Sequence, residues 1–325
     1  MSVALAHPNI ALIKYWGNRD NDLRLPVNGS ISINLDGLFT RTSVSFGNAK
    51  SDSLTINGSE VGGKGLARVS HILNLVREMA QMNEHAIVTS ENNFPSGAGI
   101  ASSASAFAAL ALAASNAAGL SLTQPELSRL ARRGSGSASR SIPGGFVEWQ
   151  MGKDETDSFA FSIADATHWD LRDCIAIVSA SHKKTGSTEG HAIAGTSPLQ
   201  LARVADAPRR LTLCRRAVLE KDFNALANIM EHDSDTMHAV MMTSSPALHY
   251  WQAASVTVME SVRAWRAQGM PVAYTVDAGP NVHVLCPFAV QKEAQARLQN
   301  LPGVENVLVA GVGGPARLVE SISSR

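Results

Sequence analysis

The chain has 325 residues, of which 45% are hydrophobic and 17% charged, a composition typical of a globular protein with one large or two medium-sized domains. Lys plus Arg and Asp plus Glu both number 28, so no net charge favours nucleic acid or an anionic membrane as a partner. The three cysteines are far apart and show neither a disulfide framework nor metal-ligand spacing. We expect a cytoplasmic protein without a signal peptide or a membrane-spanning helix.

The first half of the chain is rich in predicted strands, judged from the spacing of its apolar residues. Strands are predicted at residues 3–13, 31–46, 84–90, 144–151, 158–164 and 175–179, and helices at residues 66–83, 103–119 and 124–133. The last of these helices has the clearest start signal, because Thr123 precedes it and Pro125 and Glu126 lie in its first turn.

The second half of the chain is richer in helix. Helices are predicted at residues 197–219, 222–232, 246–267 and 289–299, and strands at residues 272–277, 282–286 and 306–311. The change in pattern near residues 180–195 predicts a boundary between two domains, residues 1–185 and residues 186–325, with a binding cleft between them.

Residues 92–106 are the most informative segment, because small residues lead directly into an Ala-rich helix. Ser102 and Ser103 fall where that helix begins, with unpaired N–H groups and the positive end of the helix dipole. This predicts a site for a nucleotide phosphate; a flexible loop before an ordinary helix is the alternative. The segment resembles the phosphate loop of galactokinase, homoserine kinase and mevalonate kinase. The residues expected around the phosphates are Pro95, Gly97, Gly99, Ala101, Ser102 and Ser103.

Two further segments place cations and hydroxyl groups beside predicted strands. The first strand runs into Lys14 and Tyr15, which puts an ammonium group and a phenol at a strand edge, although a solvated lysine explains the same pattern. Residues 132–145 carry hydroxyl groups at alternating positions, and Arg140 offers a planar fork suited to a carboxylate or phosphate. A Ser/Gly surface loop with a solvated arginine is the alternative interpretation.

Two more segments with polar side chains lie at the ends of apolar strands, one at the domain boundary and one in the second half of the chain. Asp277 ends a predicted strand at a tight turn, where an aspartate either serves a reaction or caps the turn. Residues 181–190 contain two lysines and several hydroxyl groups that suit phosphates, or else form a solvated loop. The ten histidines are scattered, so no structural metal site is predicted.

Taken in order, these segments resemble the mevalonate diphosphate decarboxylase family over almost the whole chain. The matching motifs are Ile-Lys-Tyr-Trp-Gly at 13–17, Asn-Asn-Phe-Pro with Gly-x-Ala-Ser-Ser-Ala within 92–104, Gly-Ser-Gly-Ser-x-x-Arg-Ser at 134–141, Gly-Gly-Phe-Val-Glu-Trp at 144–149, Val-Ser-x-x-x-Lys-Lys at 178–184, Thr-Ser-Pro at 196–198, Asp-Ser-x-x-Met-His at 233–238 and Asp-Ala-Gly-Pro-Asn at 277–281. Each motif alone is moderately specific, whereas all of them in one order are highly specific.

The resemblance implies an α/β (α+β) protein with the two-domain small-molecule-kinase fold: a strand-rich N-terminal ATP-binding domain, a helix-rich C-terminal domain and an active site in the cleft between them. It also implies an enzyme that uses ATP and Mg²⁺ to phosphorylate a tertiary hydroxyl group and then releases that phosphate together with carbon dioxide. Family members commonly form homodimers, so we expect a homodimer.

The family's residue roles can be placed on matching positions of this chain. Asp277 would act on the substrate 3-hydroxyl group as a general base or orienting carboxylate, and Arg140 would hold the substrate carboxylate with help from Ser137. Ser102 and Ser103 would contact the ATP phosphates, and Ser103 would also contact the metal. The remaining substrate-binding positions are Lys14, Tyr15, Asn18 and Ser135.

Asn18 is the departure from the family pattern with the largest consequence. Many members have Lys at this position, where the ammonium group helps to bind the substrate's 5-diphosphate. Loss of a charge-assisted hydrogen bond removes about 1.5–3 kcal/mol, so the neutral amide favours 5-phosphomevalonate, with one phosphate fewer. The alternative is that Arg19, Arg24 or Arg203 replaces the missing charge and the diphosphate is the substrate. A mevalonate-type kinase that does not decarboxylate is a further alternative.

Overall fold

The computed structural model describes residues 1–94, 102–179 and 186–320 and contains two large sheets with helices packed on them. Its strands are β1 (Ser2–Ala6), β2 (Asn9–Ile13), β3 (Asn18–Asp20), β4 (Leu25–Pro26), β5 (Ser30–Asp36), β6 (Thr40–Gly47), β7 (Ser53–Ile56), β8 (Ser59–Glu60), β9 (His85–Asn92), β10 (Phe146–Trp149), β11 (Ala160–Ala164), β12 (Leu171–Ile177), β13 (Ala273–Thr275), β14 (Val282–Pro287), β15 (Asn306–Val312) and β16 (Arg317–Leu318). Its α-helices are α1 (Gly63–Ala80), α2 (Ser102–Ala117), α3 (Gln124–Gly134), α4 (Ser187–Ile193), α5 (Gln200–Glu220), α6 (Phe223–Met242), α7 (Ala253–Ala267) and α8 (Gln291–Gln299). Within those three ranges, no helix combines the length and the apolar character needed to cross a bilayer.

The first sheet has the strand order β16-β1-β6-β9-β7-β8, with β7 and β9 parallel and the other pairs antiparallel. Helix α2 packs on β1 and β6, with α1 and α3 beside it. Its buried residues Ala108, Ala109 and Ala113 carry only a methyl group each, so the helix can lie close to the sheet. This packing fixes the start of α2, where Ser102 and Ser103 lie.

The second sheet has the order β11-β10-β5-β15-β12-β14-β13, with β2 paired to β5. It is covered on both faces: Ile175 and Ile177 of β12 face the core that includes α5 and α6, whereas Cys174 and Ala176 face the core that includes α7 and α8. Strands from both sides of residue 185 share this sheet, and the division into domains 1–185 and 186–325 stays a prediction.

Most predicted elements form, but two predicted strands are each divided. The segment 3–13 is β1 and β2, separated by His7 and Pro8, and the segment 31–46 is β5 and β6, separated at Gly37, whose φ is +84°. In both cases the chain crosses from one large sheet to the other. The helix predicted at 222–232 continues to Met242, and the short elements β3, β4, β7, β8, β16 and α4 were not predicted.

Replacing the fully buried Ala109 with Leu should destabilise the fold. The larger side chain would push α2 away from the first sheet, which we expect to lower the free energy of unfolding by ~1–3 kcal/mol. Ala117→Leu, at the half-buried last residue of the same helix, is the matched control. Denaturant unfolding followed by circular dichroism measures both; equal loss in the two variants would contradict the close packing of α2.

Candidate active site

A cleft of about 270 Å³ collects polar side chains from separate segments of the chain. They come from the loop after β2, the start of α2, the 3₁₀ turn Gly136–Ser141, helix α4 and the loop after β13. The predicted site residues that line it are Lys14, Tyr15, Ser102, Ser103, Ser135, Ser137, Arg140 and Asp277. Asp277 and Arg140 thus line one cleft together with Ser102 and Ser103 at the start of α2.

Lys14 and Asp277 form a salt bridge in this cleft, with 2.6 Å between Nζ and Oδ1. The Lys14 side chain is 1% exposed and that of Asp277 is 26% exposed, so the carboxylate still reaches the cleft. Burial acts to raise the pKa of Asp277, but the charge and hydrogen bond of Lys14 outweigh it and the pKa lies below its usual 3.8. Burial also lowers the pKa of Lys14, against the effect of Asp277. Asp277 is therefore ionised at neutral pH.

The main chain of Lys14 is held by buried charged side chains. Its N–H donates to Asp233 Oδ2 at 2.6 Å, and its carbonyl oxygen accepts from Arg203 Nη2 at 2.8 Å. Arg210 Nε donates to the other oxygen of Asp233 at 2.7 Å, and Arg210 Nη2 donates to the carbonyl of Arg203 at 2.8 Å. These bonds join α5 and α6 to the end of β2 and fix Lys14 in position. We call Asp233, Arg203 and Arg210 the Lys14 support.

Arg140 is 3% exposed and is held by neutral groups. Its Nη1 donates to Ser30 Oγ at 2.7 Å and its Nη2 to Asn9 Oδ1 at 3.1 Å. Burial lowers the pKa of Arg140 to about 10, and the nearby charge of Asp277 acts in the opposite direction. Among the described residues, no carboxylate lies within 4.0 Å of the guanidinium. Its positive charge is thus available to an anionic group in the cleft.

Three serine hydroxyl groups form a chain across the cleft. Ser103 Oγ lies 3.1 Å from Ser135 Oγ, which lies 3.3 Å from Ser137 Oγ. Ser103 belongs to the first turn of α2, where backbone N–H groups have no partner within the helix. This arrangement offers donors to an anion and hard oxygen ligands to a cation.

The glycines of the 134–141 segment are required by packing. A Cβ atom on Gly134 would lie 2.1 Å from the ring of Phe107, and one on Gly136 would lie 2.5 Å from the ring of Tyr15. The Gly-Ser-Gly-Ser spacing therefore brings the serine hydroxyl groups to the cleft while the backbone passes directly over two aromatic rings.

Tyr15 connects the cleft to the hairpin formed by β3 and β4. Its hydroxyl donates to Asn18 Oδ1, and Asn18 Nδ2 donates to Asn21 Oδ1 at 3.1 Å. The Tyr15 ring stacks on His191 with 4.0 Å between centroids, and the Gly17 N–H donates to His191 Nδ1 at 3.0 Å. Asn18 itself does not line the cleft; it lies behind Tyr15 and contacts the cleft through the phenol.

Part of the predicted phosphate site lies outside the described residues, namely Pro95, Gly97, Gly99 and Ala101, as do residues 181–185. Arg68 and His191 line the cleft and were not predicted. Arg68 is an exposed residue of α1, where a charge is the ordinary expectation. His191 lies in the seven-residue α4, too short to give a periodic signal. Asp233 belongs to the family motif at 233–238, but no feature of the neighbouring sequence indicates that it contacts Lys14.

Comparison with known proteins identifies the family of both halves of the chain. Residues 6–160 match the model of the diphosphomevalonate decarboxylase-like N-terminal domain. Residues 174–307 match that of the mevalonate 5-diphosphate decarboxylase C-terminal domain.

Relatives with two different names are equally similar to the chain. The phosphomevalonate decarboxylase of Haloferax volcanii is 37% identical over 322 residues, covering 98% of both chains. The diphosphomevalonate decarboxylase of Candida albicans is 38% identical over 340 residues, covering 96% of this chain and 93% of its own. A solved structure described as MDDEF in complex with MVAPP, AMPPCP and magnesium is 38% identical with a TM-score of 0.93, covering 98% of this chain and 99% of its own.

Asp233→Ala should destabilise the protein strongly, because it leaves Arg210 buried without its ion-pair partner. Loss of one member of a buried pair typically costs about 3–5 kcal/mol. Asp206→Ala is the matched control, since Asp206 also contacts Arg210 but is 36% exposed; we expect a loss below ~1 kcal/mol. Denaturant unfolding measures both, and similar values for the two variants would contradict the role of the Lys14 support.

Proposed function

The chain belongs to the mevalonate diphosphate decarboxylase family, and we propose that its substrate is 5-phosphomevalonate. Family members are ATP-dependent decarboxylases of the mevalonate pathway, and the chain is an enzyme of this class that uses ATP and Mg²⁺. The proposed products are isopentenyl phosphate, carbon dioxide, ADP and phosphate.

The observation that carries the monophosphate proposal is the neutral amide of Asn18. A lysine at this position would add an ammonium group beside the Tyr15 hydroxyl, whereas the amide adds no charge and its oxygen already accepts from Tyr15. A substrate with one phosphate has less negative charge to balance at this end of the cleft.

The second candidate substrate is the 5-diphosphate. Arg24 and Arg68 both line the cleft and supply cations that balance additional phosphate charge. The similarity to the Candida albicans diphosphomevalonate decarboxylase is as great as that to the monophosphate relative.

Arg140 is the group we assign to the substrate carboxylate. Ser30 and Asn9 hold its guanidinium in one orientation, and no described carboxylate neutralises it. Fixing the carboxylate places the bond to be broken relative to the 3-carbon, which is a positioning effect rather than bond-making chemistry. Ser137 and Ser135 lie along the same wall and can donate to the rest of the substrate.

Asp277 is the group we assign to the 3-hydroxyl of the substrate. Because Lys14 lowers its pKa, Asp277 is a weak base for an uncharged alcohol and a good hydrogen-bond acceptor. We therefore favour orientation of the hydroxyl, whose oxygen bonds to the γ-phosphorus of ATP as the bond from that phosphorus to ADP breaks. The hydroxyl proton becomes more acidic as this bond forms and passes to Asp277. Subsequent cleavage of the carbon–oxygen bond releases phosphate, while the electrons of the carbon–carboxylate bond form the alkene and carbon dioxide departs.

Ser102 and Ser103 are the groups we assign to the ATP phosphates. The hydroxyl of Ser103 fits a role as a Mg²⁺ ligand, because Mg²⁺ takes oxygen ligands and is often held by few protein groups together with substrate phosphates. When bound, the metal neutralises phosphate charge. Among residues 1–94, 102–179 and 186–320, no cluster of three His, Cys, Asp or Glu side chains forms a dedicated metal site, which agrees with such a mode of binding.

We also infer a homodimer in the cytoplasm from the resemblance to the family. Sedimentation velocity gives the mass of the particle, and a monomer at all concentrations would contradict the dimer.

Product analysis tests the proposed substrate. With ATP and Mg²⁺, we expect a higher kcat/KM on 5-phosphomevalonate than on the diphosphate, with carbon dioxide released and an alkene seen by NMR. A clear preference for the diphosphate would support the second candidate. A stable phosphorylated mevalonate without carbon dioxide would instead identify a kinase.

Asn18→Lys should shift substrate preference toward the diphosphate. Because a charge-assisted hydrogen bond contributes about 1.5–3 kcal/mol, the ratio of the two kcat/KM values should move by about 10- to 100-fold. Asn83→Lys, at an exposed position that does not line the cleft, is the matched control and should leave the ratio unchanged. An unchanged ratio in the Asn18 variant would remove the basis of the monophosphate assignment.

Lys14→Met should move the acid limb of the kcat/KM profile to higher pH. Without the ammonium group, burial raises the pKa of Asp277 against only the smaller effects of His283 and Arg140. The carboxylate therefore becomes protonated at a higher pH than in the wild-type enzyme. Lys292→Met, at an exposed site on α8, is the control. Thermal unfolding of each variant checks folding, and a folded Lys14→Met enzyme with the wild-type acid limb would contradict the pairing.

A further inference from the structure

With a neutral amide at position 18, the phosphate end of the substrate needs a cation from elsewhere. Arg19 does not provide one: it is exposed, and its terminal nitrogens donate to the carbonyls of Gly152 and Met151 at 2.8 and 3.2 Å. Arg203 does not provide one either, since it is 2% exposed and bonded to the main chain around Lys14. Neither arginine lines the cleft.

Arg24 does line the cleft, and it approaches from the hairpin that also carries Asn18. It is half-buried, and its Nε donates to the carbonyl of Arg133 at 3.0 Å. Its Nη1 and Nη2 donate to none of the described residues. Because Nε is held by this hydrogen bond, the N–H groups of Nη1 and Nη2 form a planar pair of donors that is available to a ligand in the cleft.

The positive charge of Arg24 is not balanced by the protein. No carboxylate in the described part of the chain lies within 4.0 Å of Arg24 or Arg68, whereas the buried Arg132 and Arg210 have such partners. Burial lowers the pKa of Arg24, and the charge of Arg133 adds to the effect. Partial removal of the Arg68 guanidinium from water, and then the charge of Arg24, lower the pKa of Arg68 to about 10. This side of the cleft is therefore strongly favourable to an anion.

Arg24 and Tyr15 line the same cleft. Burial raises the pKa of the Tyr15 phenol, and among the charges acting against that rise the charge of Arg24 has the largest effect. Tyr15 in turn donates to Asn18. Arg24 therefore lies at the end of the cleft that carries Tyr15 and Asn18, where we expect the substrate's 5-phosphate. Arg68 instead donates to the carbonyl of Gly134 and lies over the Phe107 ring of α2, on the side expected to hold ATP.

The backbone of Arg24 is unusual for an arginine. Its φ is +51°, in the left-handed region where Gly and Asn are the ordinary residues and a longer side chain is strained.

We propose that Arg24 binds the terminal 5-phosphate of the substrate and is a specificity-determining cation at this end of the cleft. This inference rests on the proposed function, since it takes a 5-phosphorylated mevalonate as the substrate. The fork of Arg24 donates to two oxygens of one phosphate, with the Tyr15 hydroxyl beside it.

Arg24→Asn is the decisive variant, because Asn adopts the left-handed conformation more readily than Arg and should fold at least as stably. We expect KM for 5-phosphomevalonate to rise about 10- to 100-fold, with kcat changed little, since the phosphate is remote from the reacting bonds. Binding of unphosphorylated mevalonate, measured by calorimetry, and KM for ATP should not change. Arg24→Lys should restore part of the affinity, and Arg19→Met, outside the cleft, should behave as wild type.

Three results would overturn the proposal. These are an unchanged KM in a folded Arg24→Asn enzyme, an equal loss of affinity for mevalonate without its phosphate, or a change confined to KM for ATP. The substrate preference of the wild-type enzyme tests the proposed function separately. If the wild type prefers the diphosphate and Arg24→Asn loses affinity for both phosphorylated substrates, the monophosphate assignment fails while the role of Arg24 stands.

Discussion

The position of Lys14 between buried charges is the constraint on which the cleft depends. Its N–H is held by Asp233, its carbonyl by Arg203 and its ammonium group by Asp277. Removing such charges from water costs several kcal/mol per ion, and only their mutual pairing offsets this cost. The end of β2, helices α5 and α6 and the loop after β13 must therefore meet at one point. That meeting orients Asp277 and places Tyr15 at the next position along the cleft.

Charge is distributed unevenly along the cleft, and this asymmetry matches the substrate we propose. Asp277 is balanced by Lys14 and faces an uncharged hydroxyl group, whereas Arg140 and Arg24 lack carboxylate partners among the described residues. A ligand with a carboxylate near Arg140, a phosphate near Arg24 and an alcohol near Asp277 would satisfy all three. Groups fixed in this way before binding need no reorganisation during reaction, which is the usual origin of electrostatic catalysis.

Long elements and the motif order were predictable from the sequence, whereas contacts between distant segments were not. The apolar run at 3–13 predicts one strand, but Pro8 lacks an N–H and separates two strands that belong to different sheets. From the sequence alone, a lysine at the end of a strand is equally consistent with a solvated charge. In the structure its side chain is 1% exposed because it pairs with Asp277 and its main chain with Asp233, both more than 200 residues away. Periodicity reports which face of an element is apolar, and it carries no information about such partners.

The hairpin of β3 and β4 carries the two residues that we expect to decide between a monophosphate and a diphosphate substrate. It carries Asn18 on β3 and Arg24 in the turn before β4. Arg24 lines the cleft, and Asn18 contacts Tyr15, which also lines it. One guanidinium fork matches two oxygens of a single phosphate, and a second phosphate would extend beyond it and require a further cation. A lysine at position 18 is such a cation, while Asn18 uses its oxygen to hold Tyr15 instead. Discrimination between one and two phosphates can therefore be set by the number of cations on this hairpin, while the Lys14 support and the groups around the reacting carbon stay the same.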